Sequence, residues 1–369
     1  IVTGWNVNQF DMSYLVNRIE KVLGDKEMKT LSPWGMVDRI EKNIRGMIQQ
    51  QVSISGIAIV DYLDLYRKFT YTNQESYRLD HIAFIELGER KDGNPYETFS
   101  EWYTKDYQSF IEYNITDVEL VDKLEDKMKL IDLCLTMAYD GKVNFTDVLG
   151  QVRYWDNMIY NHLRKKRIVI PQKKEHEKDK KFEGAYVKDP QVGEHKWVMS
   201  FDLNSLYPHL IMQFNISPEK MVMGQRQDTS VKRLLNQECD LSYIHQCNNT
   251  VTPNGVMFKR DKQGFLPELM EKFYDERKMW KKRMIEYQKE KETCTDIKRK
   301  RELDTLIKRA YNNQQVRKIA LNSAYGALAN QYFAFFSIDL AEAITTSGQL
   351  IIQWSERTIN DFMNKTLGT

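Results

Sequence analysis

The stretch from residue 265 to residue 329 constrains the fold of this chain more than any other segment. It predicts two long helices with a junction near residues 290–296, where Thr293 and Thr295 lower the helix propensity. No heptad array is long enough for an independent coiled coil, and no internal repeat is present. The pattern therefore indicates two helices that lie antiparallel within a larger fold.

Length and composition indicate a multidomain protein without a membrane segment. The 369 residues are enough for two or three domains, and 41% hydrophobic residues argue against wholesale disorder. No apolar run is long enough to cross a bilayer. Lys and Arg total 54 against 52 Asp and Glu, and the net charge of +2 does not by itself indicate nucleic acid. The basic residues do concentrate between Lys278 and Lys318.

The four cysteines are scattered and do not predict a metal site. Cys239, His245 and Cys247 lie close together but lack zinc-finger spacing, so reduced thiols in a cytoplasmic protein are expected. The first residues, Ile1–Asn6, are typical of a strand entering a loop and not of a signal peptide. We therefore expect the sequence to be a fragment that begins inside a fold.

Residues 1–130 alternate strand and helix signals, which is an α/β pattern. Strands are predicted at Ile1–Trp5 and Val52–Tyr66, and helices at Asp11–Leu23 and Phe110–Ile131.

The middle of the chain carries a linker signal and then a strand signal. Residues 131–172 are mixed, and the charged run Lys173–Lys181 predicts a solvated linker. Trp197–Phe201 then predicts a buried strand.

The strongest local signal is the run Ser200-Phe201-Asp202-Leu203-Asn204-Ser205-Leu206-Tyr207-Pro208. The predicted strand would deliver the Asp202 carboxylate to the edge of a sheet, and Pro208 fits the first turn of a following helix. Two-metal phosphoryl transfer needs such carboxylates, fixed on a rigid sheet, to hold Mg²⁺. The alternative is a strand that ends in a capping Asp, and Asp202 alone would favour that alternative.

In the two helices predicted over residues 265–329, one face of each helix carries side chains that suit a nucleoside triphosphate. Lys318, Asn322 and Tyr325 are spaced i, i+4 and i+7, which places a cation, an amide and a ring on one face. Arg277 and Lys281 share a face of the preceding helix. A solvated basic face is the alternative for both.

Gly326 lies inside the second of these helices, where glycine costs about 1 kcal/mol relative to Ala. Close approach of a base pair would explain it, and so would packing against another helix.

A second group of residues suits metal-assisted hydrolysis. Asn6–Asp11 follows a strand and opens a helix, and Tyr113 and Asp117 lie four residues apart on a helix. A hydrolytic two-metal site needs several carboxylates and a group that orients the attacking water, and Tyr113 suits that role. Each of these two segments is weak evidence when taken alone, because a Tyr and an Asp four residues apart on a helix usually occur by chance.

The Asp202–Pro208 run resembles motif A of family B DNA polymerases, D-x-x-S-L-Y-P, and Lys318–Gly326 resembles their motif B, K-x-x-x-N-S-x-Y-G. The order of the two motifs and their separation along the chain also match this family. The resemblance is strongest to the replicative polymerases of T-even-type bacteriophages. Asn6–Asp11 and Tyr113–Asp117 resemble the Exo II and Exo III motifs. Phe182–Ala185 resembles the Y-x-G-G/A element between the two domains, with Phe for Tyr, although an ordinary turn glycine at Gly184 is an equal alternative.

The resemblance implies an α/β and α+β multidomain fold, with an RNase H-like 3′–5′ exonuclease domain followed by a polymerase palm that carries a helical-hairpin fingers insertion. The implied bounds are 1–130 for the exonuclease domain, 131–172 for a connecting segment, 173–263 and 330–369 for the palm, and 264–329 for the fingers. The implied activity is template-directed DNA synthesis with proofreading, in viral DNA replication in the cytoplasm. The implied partners are primer-template DNA, deoxynucleoside triphosphates, a sliding clamp and other replisome proteins, with no membrane.

The resemblance also implies residue roles in the polymerase site. Asp202 and the carbonyl of Leu203 would hold two Mg²⁺ ions, for which Mn²⁺ is an alternative. The implied nucleotide-binding residues are Ser205, Leu206, Tyr207 beneath the sugar, Arg277, Lys281 and Lys318 at the triphosphate, and Asn322 and Tyr325 at the base pair. Gly184 and Gly326 would approach DNA. Asn204 receives no role, and His209 replaces a residue that is usually small.

In the exonuclease site, the resemblance makes Asp11 and Asp117 metal ligands and Tyr113 the water-orienting residue, while Asn6 and Phe10 contact the single-stranded 3′ end. The Exo I motif is expected before residue 1, and the Asp-Thr-Asp-Ser motif C after residue 369. The isolated 369-residue chain is therefore expected to be inactive.

Two alternative functions remain at this stage. The first is a dedicated exonuclease, against which the triphosphate-binding motifs argue. The second is a non-catalytic DNA-binding scaffold subunit, which would be expected to have lost Asp202, Lys318 or Asn322.

Overall fold

The structure, a computed structural model, describes residues 1–44, 47–70, 72–91, 93–170, 172, 184–195, 198–245 and 247–367. It divides into two compact units, Ile1–Gly150 and Gln151–Thr369. This division lies within the predicted connecting segment 131–172. The predicted linker Lys173–Lys181, together with Phe182, Glu183 and Trp197, lies outside the described residues. No helix in the described part of the chain is both long and apolar enough to span a bilayer.

The first unit combines short strands with seven helices among its described residues. In chain order these elements are β1 (Val2–Gly4), α1 (Asp11–Leu23), α2 (Asp25–Lys29), β2 (Val37–Ile44), β3 (Met47–Ile54), β4 (Ile59–Asp61), α3 (Tyr62–Phe69), α4 (Leu79–Leu87), α5 (Phe99–Lys105), α6 (Tyr107–Met128) and α7 (Leu130–Gly141). A 3₁₀ turn, Phe145–Leu149, closes the unit.

Two strand pairs organise this unit. β1 and β4 run parallel, with Gly4 opposite Asp61, and β2 and β3 form an antiparallel hairpin. The apolar face of α1 packs on both pairs through Val16, which is fully buried in one core cluster with residues of β3 and β4. This face explains why Asp11–Leu23 forms a helix over the predicted range.

The prediction of one strand over Val52–Tyr66 is wrong. β3 ends at Ile54, a turn with Gly56 at φ +87° follows, and β4 is only three residues long. The chain becomes helical at Tyr62 because the Asp61 side chain accepts a hydrogen bond from Leu63 N at 3.0 Å and so caps α3. The β-branched residues of this stretch suit a strand, but the cap decides where the helix begins.

The helix predicted to reach Ile131 is interrupted at Lys129, which has a left-handed φ of 55°. α6 ends at Met128 and α7 begins one residue after the break. Glu125 accepts hydrogen bonds from Ile131 N at 3.0 Å and Asp132 N at 3.4 Å, so its carboxylate satisfies donors in the first turn of α7. The break places two helices where the periodicity predicted one.

The second unit is mainly helical around a small sheet. In chain order its elements are α8 (Gln151–Lys165), α9 (Leu206–Phe214), β5 (Met221–Arg226), α10 (Val231–Leu235), β6 (Asn249–Val251), β7 (Val256–Lys259), α11 (Phe265–Thr293), α12 (Ile297–Leu328) and α13 (Ile338–Leu367). The three strands form an antiparallel sheet in the order β5-β7-β6.

The two long helices predicted over residues 265–329 are confirmed as α11 and α12. They meet at residues 294–296, inside the predicted junction. Asp296 caps α12 by accepting from Lys298 N at 2.9 Å. Lys291 pairs with Asp304 at 2.5 Å and Glu290 with Arg299 at 2.8 Å, so both helices are tied together near this end.

The start of α11 is fixed by two side chains that lie between α9 and the first strand of the sheet. The buried Asn215 accepts from Gly264 N at 2.8 Å and donates to Lys259 O at 2.6 Å. Glu219 accepts from Phe265 N at 2.8 Å. These bonds satisfy backbone groups that the first turn of a helix leaves unpaired, so α11 leaves the sheet at a defined position.

The prediction of a buried strand ending at Asp202 is wrong for the described residues 198–202. They have no regular secondary structure, and Phe201 is 67% exposed. A strand needs a neighbour for its backbone N–H and C=O groups, and none of the described strands pairs with this segment. The helix that follows does begin as predicted, because Pro208 lies in the first turn of α9, where its missing N–H costs nothing.

Candidate active sites

In the first unit, a buried carboxylate organises the loop that leads to α1. Asp61 is 3% exposed and accepts from Asn6 N and Asn8 N, each at 3.0 Å, in addition to capping α3. Burial raises the pKa of Asp61, and the hydrogen bonds from the backbone oppose that rise. Asp61 was not predicted from the sequence, although an acid between an apolar strand and a helix is a recognisable capping signal.

The structure brings the two predicted exonuclease carboxylates into electrostatic contact. Asp11 is the first residue of α1, and Asp117 lies on α6. Desolvation raises the pKa of Asp11, and the negative charge of Asp117 raises it further. A divalent cation would relieve this repulsion, and carboxylate oxygens are donors that Mg²⁺ prefers.

Tyr113 and Asp117 share a face of α6, as their spacing predicts. Lys91 forms an ion pair with Asp117, and its Nζ lies 5.2 Å from the centre of the Tyr113 ring. Trp102 packs against that ring at a centroid distance of 5.0 Å. Lys91 was not predicted from the sequence, because a single lysine in a loop carries no local signal of its neighbours.

The loop between β1 and α1 holds the other two predicted residues. Asn6 has a left-handed φ of 62°, which Asn tolerates better than most residues, and its carbonyl accepts from Phe10 N at 3.1 Å. The Phe10 side chain is 69% exposed. Its ring is therefore accessible to a ligand.

In the second unit, the loop that carries Asp202 is attached to α11. Asp202 and Leu203 are exposed, and Ser205 has a left-handed φ of 53° just before α9. Ser205 Oγ accepts a hydrogen bond from Arg277 Nη1 at 3.2 Å. The Arg277 guanidinium of α11 thus lies beside the loop that carries Asp202, and no local sequence pattern predicts this contact.

Tyr207 lies between two helices. Its ring centre is 5.0 Å from that of Tyr325 on α12. On the α13 side, a Cβ added at Gly348 would come within 3.1 Å of Tyr207 Cε1. Burial raises the pKa of both phenols, so both are neutral at physiological pH.

His209, which departs from the family pattern, has its own partners. Its Nδ1 lies 2.9 Å from Ser205 O, and its ring meets the edge of Tyr274 at a centroid distance of 4.7 Å. The larger side chain is therefore accommodated against α11.

The predicted triphosphate-binding residues differ in exposure. Arg277 and Lys318 are half-buried, while Lys281 and Asn322 are exposed. Lys281 lies on an open surface of α11 together with Lys278, Lys282, Ile285, Glu286 and Lys289. Basic side chains predominate on this surface, which suits an anionic ligand.

The two predicted DNA-contacting glycines have protein neighbours. A Cβ at Gly326 would lie 2.6 Å from Gln151 Oε1 of α8, but this atom ends a flexible side chain that can move aside, so the contact with α8 does not by itself require glycine here. Beside it, Trp155 Nε1 donates to Ser323 Oγ at 3.0 Å and ties α8 to α12. The carbonyl of Gly184 accepts from Gln349 Nε2 of α13 at 2.7 Å.

In the part of the chain that the structure describes, no group of three or more His, Cys, Asp or Glu side chains is arranged to hold an ion. Asp11 and Asp117 contribute two carboxylates to the first candidate site, and Asp202 contributes one to the second. Carboxylate and carbonyl oxygens are the donors that Mg²⁺ prefers.

Comparison with known proteins gives a consistent assignment for both units. Residues 148–368 match the model of DNA polymerase family B, and residues 1–82 match the model of the exonuclease domain of that family.

Relatives match along the whole chain. It is 34% identical over its full length to the DNA-directed DNA polymerase of Escherichia phage RB69 and 35% identical to that of Enterobacteria phage T4. It is 24% identical to the DNA polymerase delta catalytic subunit of Drosophila melanogaster, of which it covers 33%. The chain spans 44% of the length of each phage relative.

Proposed function

This chain belongs to DNA polymerase family B, and on that basis we propose that the whole protein is a DNA-directed DNA polymerase with a 3′–5′ proofreading exonuclease. The family predicted from the motifs is confirmed. The exonuclease match precedes the polymerase match along the chain, and both units combine helices with sheet. The proposed reaction is attack of a primer 3′-hydroxyl on the α-phosphate of a deoxynucleoside triphosphate, with pyrophosphate as the leaving group.

The observation that best supports the polymerase site is the hydrogen bond from Arg277 to Ser205. It puts a guanidinium beside the loop that carries Asp202 and the carbonyl of Leu203, the residues that would hold Mg²⁺. Bound metal would supply charge neutralisation at the α-phosphate. Arg277, Lys281 and Lys318 would bind the triphosphate oxygens, and cations at fixed positions stabilise the charge that develops during transfer.

The proposed sugar and base contacts use the remaining motif residues. Tyr207 would lie beneath the sugar and exclude a 2′-hydroxyl, and its position is set by the helices on both sides of its ring. Ser205 and Leu206 would complete the nucleotide site at the start of α9. Asn322 and Tyr325 would line the nascent base pair.

The proposed exonuclease site uses Asp11 and Asp117 as metal ligands and Tyr113 to orient the attacking water. Its support is the placement of Tyr113 and Asp117 on one face of α6, together with the charge of Asp117 that acts on Asp11 at the start of α1. Asn6 and the exposed Phe10 would contact the single-stranded 3′ end, where ring stacking on bases is favourable.

The finer architecture remains part of the proposal. We assign residues 1–130 to the exonuclease domain, 131–172 to a connecting segment, 173–263 and 330–369 to the palm, and 264–329 to the fingers. The helical hairpin of α11 and α12 and its defined departure from the sheet support the fingers assignment.

Cofactors and partners follow from family membership alone. Mg²⁺, with Mn²⁺ as an alternative, is the proposed cofactor. Primer-template DNA and deoxynucleoside triphosphates are the proposed substrates, with contacts to DNA at Gly184 and Gly326. A sliding clamp and other replisome proteins are the proposed partners, in the cytoplasm of a host cell.

Nucleotide binding tests the proposal against a dedicated exonuclease, which needs no triphosphate site. Titration of the chain with dATP and Mg²⁺ should show saturable binding that weakens at high salt. Arg277→Ala should lower the affinity about tenfold, the loss of one charge-assisted contact. Binding that is absent, or unaffected by Arg277→Ala, would favour the exonuclease or scaffold alternative.

A further inference from the structure

An ion pair between Glu276 and Arg317 joins α11 to α12 next to the proposed triphosphate site. Arg317 Nε lies 3.0 Å from Glu276 Oε2, and the two side chains are 12% and 29% exposed. Arg317 Nη1 also donates to Asn313 Oδ1 at 3.0 Å on its own helix. The guanidinium is therefore oriented from two sides, unlike the side chains of a typical surface pair.

Each member of this pair directly precedes a cation of the proposed site. Glu276 precedes Arg277, and Arg317 precedes Lys318. One residue advances an α-helix by about 1.5 Å and turns it by about 100°. Fixing Glu276 against Arg317 therefore fixes the level and the direction from which Arg277 and Lys318 leave their helices.

Arg277 has a second connection, because its Nη1 donates to Ser205 Oγ. α11 is thereby linked to the loop that carries Asp202, and the Glu276–Arg317 pair links α11 to α12. The two contacts form a continuous series from that loop to Lys318. A change of helix register at the ion pair would leave Arg277 beside Ser205 and move Lys318 away.

We propose that Glu276 and Arg317 are positioning residues, which set the register of α11 and α12 so that Arg277 and Lys318 bind one triphosphate. This inference rests on the proposed function, because it assumes that these cations bind the nucleotide. Neither positioning residue is assigned a contact with the nucleotide.

The charge of Glu276 separates this proposal from a simple electrostatic effect. An acid next to an anion-binding site repels the ligand, so removal of its charge should strengthen binding if the electric field alone matters. Positioning gives the opposite expectation for Glu276→Arg. That variant adds positive charge near the site but places two guanidinium groups against each other.

The test is calorimetric titration with dATP and Mg²⁺ of the chain carrying Glu276→Arg, Arg317→Glu, or both. Positioning predicts about tenfold weaker binding for each single variant, equivalent to ~1.4 kcal/mol, and recovery to within about twofold in the double exchange. The proposal is overturned if Glu276→Arg binds dATP more tightly than wild type. It is also overturned if the double variant binds dATP as weakly as the two single variants.

Glu290 and Arg299 provide a matched control, since they form a pair across the same two helices at 2.8 Å near the hairpin end. Glu290→Arg should leave dATP affinity within about twofold of wild type. If it weakens binding as much as Glu276→Arg does, the effect is general loss of hairpin stability and the proposal fails. Circular dichroism should show that every variant retains its helical content.

Arg277→Ala separates failure of this inference from failure of the proposed function. If Arg277→Ala weakens binding and Glu276→Arg does not, the triphosphate site stands and the positioning role is wrong. If Arg277→Ala has no effect, both the triphosphate site and the positioning role are overturned.

Discussion

The rings of Tyr207 and Tyr325 lie 5.0 Å apart, at an angle of 56° between their planes. Tyr207 is in the first turn of α9, and Tyr325 is near the end of α12. Two motifs that are far apart in the sequence thus share one aromatic contact. The contact gives the proposed nucleotide site a wall whose position depends on both helices.

Tyr207→Ala should increase incorporation of ribonucleotides relative to deoxyribonucleotides by the whole protein. The substitution removes a ring that would clash with a 2′-hydroxyl, so discrimination falls through loss of a repulsive contact. We expect at least about a tenfold change, the effect of ~1.4 kcal/mol. Single-nucleotide insertion kinetics with rCTP and dCTP measure the ratio.

Tyr207→Phe is the control for this prediction. It keeps the ring against Tyr325 and Gly348 and removes only the hydroxyl. Its discrimination should stay near that of wild type, whereas an unchanged ratio in Tyr207→Ala would show that the ring does not face the sugar.

Asp11→Ala should abolish excision of a mismatched 3′ end and leave primer extension largely intact. Loss of a metal ligand at the exonuclease site should cost orders of magnitude in rate, since each metal contributes several kcal/mol. A primer-degradation assay of the whole protein measures excision, and extension of a matched primer is the internal control. Normal excision by the variant would refute the assignment of Asp11.

Asp61→Ala should destabilise the first unit by about 2–4 kcal/mol. The side chain satisfies three backbone N–H groups, and its removal leaves the buried donor of Leu63 and the part-buried donors of Asn6 and Asn8 without this acceptor. Urea unfolding of the chain measures the loss. Asp38→Ala, at an exposed acid on β2, should change stability by less than about 0.5 kcal/mol, and equal effects would contradict the anchoring role of Asp61.

His162 should make the second unit less stable in mild acid. Burial lowers the pKa of His162 below its usual 6.5, although the nearby Glu268 opposes this and Lys166 supports it. The unfolded chain therefore binds a proton at a higher pH than the folded one, so stability falls as the pH drops below about 6.5. His162→Gln should lose less stability than wild type between pH 7.5 and pH 5.0.

Urea unfolding at both pH values measures this difference for wild type and variant. Groups away from His162 titrate alike in the two proteins, and the neighbouring Glu268, whose pKa is lowered chiefly by Lys166, stays ionised in the folded protein over this range, so the difference between the pH dependences reports on His162. Equal losses of stability would show that His162 ionises alike in the folded and unfolded states.

The sequence by itself determined features that arise within a few turns of one element. The junction of α11 and α12 follows from local helix propensity, and the shared face of Lys318, Asn322 and Tyr325 follows from the helical repeat. The helical repeat likewise places Tyr113 and Asp117 on one face of α6. The motifs also identified the family, because the residue types at fixed spacing are specific enough without any knowledge of contacts.

Only the tertiary structure decided which distant groups meet. The contact of Lys91 with Asp117, the bond from Arg277 to Ser205 and the capture of the loop before α1 by Asp61 each join separate elements, and no periodicity encodes such pairs. Strand formation depends on distant partners in the same way. The segment before Asp202 has the residue types of a strand, but its backbone has no neighbour among the described strands, so no strand forms over the described residues 198–201.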